Sequence, residues 1–114
     1  EATLLFLQQF HHRYPHKSSL TLSIPKIPDR STALLEKPDL IPVIRSYLLS
    51  GSQWLIENKA PFFVVPCNTA HAFLFNMPHL KSLVMLTESY ISRLKPPTLV
   101  SLGTSGTQKT NIYT

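Results

Sequence analysis

The sequence predicts an α/β fold: an open parallel sheet with helices on both faces, three layers deep. Three observations lead there. Helix-like and strand-like segments alternate along the 114 residues, in the order α, β, α, β, α, β, α, β. The run "PFFVVP" (61–66) is apolar without alternation, as a strand covered on both faces requires. The connections between strand-like segments are long enough to be crossovers between parallel strands.

Taken in order, "ATLLFLQQF" (2–10) places Leu4, Leu5, Phe6 and Phe10 for a helix that ends at Pro15. "SLTLSI" (19–24) alternates and reads as a strand, followed by the loop "PKIPDRS". "STALLEK" is one or two helical turns. From Leu40 to Asn58, Ile41, Ile44, Leu48, Leu55 and Ile56 recur at helical spacing, predicting one helix with a bend at Gly51. After the strand at 61–66, "NTAHAFLFNM" reads as a helix capped by Asn68 or Thr69 and stopped before Pro78. "SLVML" (82–86) reads as a strand, "TESYISRL" as a short helix capped by Thr87, and "TLVSL" (98–102) as a last strand turning at "GTSGT".

Composition narrows the function. A net charge of +5 suits anionic partners, yet the basic residues are scattered, with no cluster and no RNP-like or zinc-finger spacing. Neither a nucleic acid nor a membrane is the expected partner. Ten prolines against three glycines punctuate apolar runs, so the chain reads as folded. One cysteine forms no internal disulfide, and there is no signal-like or 18-residue apolar stretch, which points to the cytoplasm. His11, His12 and His16 lack partners at ligand spacing, so no metal is expected.

In a parallel sheet, ligands gather outside the carboxyl ends of the strands. The loops "PKIPDRS", "PCNTA" and "GTSGT" would therefore share one edge, with Cys67 at the centre. A thiol at the first turn of a helix faces unpaired N–H groups that favour thiolate. A free cysteine also serves as a small buried hydrophobe, but Asn68 and Thr69 supply donors that apolar packing does not need. His71, four residues on, is placed either to assist the thiol or, more commonly for a first-turn histidine, to cap or pack. Trp54 and Tyr47 read as packing residues, and "GTSGT" lacks the ending of a phosphate-binding Walker loop.

"VVPCNTAHAF" resembles the active-site segment of the aspartate/glutamate racemase superfamily, and "IPKIPDRS" is similar to that family's P-x-I-P-D-R-S/T loop. Glu1-Ala2-Thr3 resembles the end of the family's G-G-M-G-P-x-A-T opening, and "LVSLGTSGTQKTNIY" its L-L-A-T-x-G-T strand and turn. The resemblance implies that residues 1–114 are the N-terminal α/β domain of a two-domain isomerase, cut at both ends. It implies racemisation of aspartate, glutamate or a similar amino acid by two cysteines, without pyridoxal phosphate or another cofactor, and a homodimer by analogy. On that reading Cys67 is one acid/base thiol. Asn68, Thr69 and Thr104 bind the α-carboxylate, and Arg30 pairs with a side-chain carboxylate or orders its loop. Lys26 stands where relatives often carry Gln and either binds an acidic group or is solvated. The family's second cysteine is not in this sequence. An inactive remnant, a small-ligand-binding domain and a single-cysteine isomerase or decarboxylase therefore remain as alternatives.

Overall fold

The computed structural model describes residues 2–98 and 102–110. Among these described residues five α-helices and two 3-10 segments follow one another: α1 (Ala2–Arg13), α2 (Arg30–Leu35), a 3-10 turn Pro38–Leu40, α3 (Ile41–Glu57), a 3-10 helix Thr69–Phe73, α4 (Leu83–Leu94) and α5 (Ser105–Thr110). Among the described residues there is no β-strand; one isolated parallel bridge joins Phe63 to Leu80.

This overturns the expected three-layer sheet, and each expected strand shows why. "SLTLSI" forms no strand; its Leu22 and Ile24 lie on α3, where Gly51 admits them. A Cβ built at Gly51 would stand 3.0 Å from Ile24 Cδ1 and 3.2 Å from Leu22 Cδ2. "PFFVVP" is bounded by Pro61 and Pro66, which donate no backbone hydrogen bond. Its pairing is confined to Phe63, whose N–H donates to His79 O (2.9 Å) and whose carbonyl accepts from Lys81 N–H (2.8 Å). The expected strand 82–86 is instead the start of α4. Ser82 caps it, its hydroxyl accepting from Met85 N–H at 3.3 Å, and the leucines and methionine that follow are good helix formers. Thr87, expected as the cap, sits inside the helix and donates its hydroxyl back to Leu83 O at 2.7 Å. Of the expected strand 98–102, residues 99–101 lie outside the described residues, and "GTSGT" runs into helix α5.

The helices with clear apolar spacing form close to where the pattern puts them. α3 is led in by the turn at Pro38 and carries Pro42 in its first turn, where a missing N–H costs nothing. It ends at Asn58, whose side-chain amide donates to Trp54 O at 2.9 Å. α2 starts at Asp29, whose carboxylate accepts from Thr32 N–H at 2.7 Å. That bond, then the Thr32 hydroxyl, hold the Asp29 carboxyl below its ordinary value of 3.8, with the Arg30 charge adding to them. The cap is therefore complete at neutral pH and is lost as pH falls through the lowered folded-state value. Asp29→Ala should cost about 0.5 kcal/mol, the low end for an exposed cap. Asp29→Asn, which keeps an acceptor, should retain the cap and remove its acid sensitivity, as acid titration followed by circular dichroism would show.

The core is small. Ala33 of α2, Ile44 and Leu48 of α3, Phe63, and Ala70, Phe73, Leu74 and Met77 of the central segment form one buried cluster. Ile44 and Phe73 are its largest fully buried side chains. α3, α5 and α2 all pack against the 3-10 helix 69–73, which sits at the centre of the fold. α1 buries none of its residues. No helix among the described residues is long and apolar enough to cross a membrane.

Candidate ligand site

The segment around Cys67 remains the most chemically structured part of the chain, but it is built differently from expectation. The helix expected from Asn68 to Met77 is the five-residue 3-10 helix, so few aligned peptide dipoles stand behind Cys67. Cys67 is half-buried against the core, and its N–H closes a tight turn on Val65 O at 2.7 Å. Asn68 is exposed at the N-cap position, with helical backbone angles and no side-chain capping bond.

Two residues expected to share a ligand do come together. Thr69 Oγ1 lies 3.2 Å from Thr104 Oγ1, and Thr107 Oγ1 completes a triangle, 2.8 Å from the former and 3.2 Å from the latter. Three hydroxyls in a ring can each donate one bond and accept another. Thr107 N–H donates to Thr104 Oγ1 as well, at 3.2 Å. The ring is thereby satisfied internally, and it ties α5 to the 3-10 helix while Gly106 lets α5 approach α2. A Cβ at Gly106 would stand 2.6 Å from Ser31 Oγ and 3.1 Å from Ser31 Cα. Thr107, buried at the centre of this junction, was visible in the sequence only as part of "GTSGT".

Arg30 and Lys26 do not join the cluster. The Arg30 guanidinium donates to Pro28 O at 3.3 Å, ordering its own loop, and Lys26 is exposed in the preceding turn.

His71 is committed to structure. Its Nε2 accepts from Leu83 N–H at 3.2 Å, and its Nδ1 lies 2.8 Å from Cys67 O. A backbone N–H only donates and a carbonyl only accepts, so the ring is neutral with its proton on Nδ1. Both nitrogens are occupied, and the imidazole links the 3-10 helix to the first residue of α4 instead of serving the thiol.

Beyond His71 an open groove of about 700 Å³ runs between the 71–80 segment and α4. Leu74, Met77, Leu80, Val84 and Met85 give it an apolar lining, with His71, Asn76, Ser82 and Glu88 as polar points. One wall is held by a residue the sequence reading passed over. Arg45 of α3 donates to Phe73 O at 2.6 Å and Phe75 O at 3.0 Å, and its guanidinium stacks 3.7 Å above the Phe75 ring. Cys67, Asn68, Thr69, Thr104, Arg30 and Lys26 are not among the lining residues.

This architecture is not that of an aspartate/glutamate racemase. The sheet whose strand ends would assemble its active site is absent among the described residues. One cysteine cannot take a proton from one face of an α-carbon and return it on the other. The described residues therefore do not form that family's scaffold, the sequence holds one cysteine where the mechanism needs two, and the assignment as an isomerase falls on both counts. Among the described residues no group of three or more His, Cys, Asp or Glu is placed to hold a metal ion. No protein-family model matches the chain, and no solved structure matches it.

Proposed function

We propose that this chain is a non-catalytic, small-ligand-binding helical domain whose ligand lies in the groove between residues 71–80 and α4. The observation that carries this reading is the groove itself. Its volume of about 700 Å³ falls in the range of small-molecule sites, and an apolar lining with a few polar points is the usual composition of such sites. The ligand class follows from the lining: a small, mainly apolar body carrying one hydrogen-bond donor. Glu88 is the one carboxylate that lines the groove and accepts such a donor.

The chain supplies its own reporters, since both of its methionines, Met77 and Met85, line the groove. With ε-methyl groups labelled with carbon-13, titration with indole as an apolar probe bearing one N–H donor should move both signals and saturate. Met85 is 69% exposed, so Met85→Lys places a charge in the groove without disturbing the core. This variant should lose the saturable shift at Met77. Shifts that grow linearly with indole, or that persist unchanged in Met85→Lys, would overturn the reading.

A further inference from the structure

The bond from Leu83 N–H to His71 Nε2 exists only while that nitrogen is bare. A protonated imidazole carries a hydrogen on both nitrogens, so Nε2–H would then face Leu83 N–H, donor against donor. Histidine is the side chain whose charge ordinarily changes between about pH 5 and pH 8. We infer that His71 is a pH-sensitive latch: neutral, it fastens the start of α4 to the 3-10 helix; protonated, it releases Leu83 and turns toward Glu88 across the groove.

The surrounding charges give the movement its direction. Glu88 of α4 lines the same groove as His71 and attracts an imidazolium. α3 contributes Arg45, whose guanidinium is held by the carbonyls of Phe73 and Phe75. α2 and α5 also pack against the 3-10 helix. Arg30 of α2 is bonded to Pro28 O, and Lys109 of α5 is exposed. Cys67 faces the ring through its carbonyl, which accepts from Nδ1–H in either charge state. Protonation thus breaks one of the two bonds that position His71 and keeps the other. Ser82, Val84 and Met85 form the groove wall at the same end of α4. Resting on the groove reading, acidification should place a charged pair inside the site and expel an apolar ligand.

The test is hydrogen exchange at the Leu83 amide in the whole chain, corrected for the intrinsic pH dependence of exchange. Between about pH 8 and pH 5 protection should fall by about fivefold, the loss of one backbone hydrogen bond. In His71→Gln a side-chain oxygen stands in for Nε2 and does not titrate, so protection should be constant. Wild-type protection that ignores pH, or a fall of the same size in His71→Gln, would overturn the latch. If the variant does not fold, nitrogen-15 spectra of the wild-type imidazole decide. Above the imidazole's titration the proton must sit on Nδ1, and finding it on Nε2 would refute the inference. Indole affinity followed over the same pH range separates the two readings. An absence of indole binding at every pH would remove the groove function and leave the amide result standing.

Discussion

Phe73→Ala should abolish cooperative folding. Phe73 is 1% exposed, one of the two largest fully buried side chains among the described residues, and it belongs to the 3-10 helix on which α2, α3 and α5 converge. Truncating a buried phenylalanine costs about 3–5 kcal/mol, against a total stability of about 5–15 kcal/mol for a typical domain. Among the described residues the core is one cluster of eight buried residues, which has little with which to offset that loss. Thermal denaturation should show a broad, non-cooperative loss of helical signal, whereas Phe75→Ala, at a position 57% exposed, should melt cooperatively. A Phe73→Ala melting temperature within a few degrees of the wild type would mean that the core is elsewhere.

Arg45→Ala should be the second most damaging single change. Its guanidinium spans from α3 to the carbonyl of the last 3-10 residue, Phe73, and to that of Phe75 beyond it, two bonds reaching 28 and 30 residues along the chain. Hydrogen bonds to a charged group contribute about 1.5–3 kcal/mol each when buried. This pair is only partly buried, so about 2 kcal/mol in all is expected. Arg45→Lys should not restore it, because a single ammonium lacks the planar fork that reaches both carbonyls while stacking on Phe75. Urea denaturation would show the loss as a lower midpoint, and the Met77 methyl signal should shift as the groove wall loosens. Full rescue by lysine would show that charge alone, and not the fork, holds the segment.

Local periodicity made α1 and α3 readable: Ile44 and Leu48 are four apart on the face that is buried, and the prolines near 15 and 42 mark boundaries where helices end and begin. The strands were misread because extended apolar character is a property of a segment, whereas a sheet is a property of pairs. Leu22 and Ile24 found partial burial against Gly51 of a helix, and among the described residues "PFFVVP" pairs only through the bridge at Phe63. At 82–86 a five-residue apolar run was compatible with either period, and the Ser82 cap decided for helix. The site shows the same division. Thr69 and Thr104 could be picked out as polar residues beside apolar runs, and they do meet. Thr107 and Arg45 owe their roles to neighbours 38 and 28 residues away, which no local pattern encodes. His71 was legible as a partner of the Cys67 residue, four positions earlier, but the bond is to the backbone carbonyl and not to the thiol.

The claim on which the rest depends is that residues 82–94 are helix and that 61–66 pair only through Phe63. Backbone carbon-13 secondary shifts, with amide-to-amide contacts across 20–24, 61–66 and 80–86, test it directly. The helical account predicts continuous helical shifts from Leu83 to Leu94 and one cross-segment contact, between Phe63 and the 79–81 stretch. Extended shifts at 82–86, with a ladder of contacts joining them to 62–65, would contradict it.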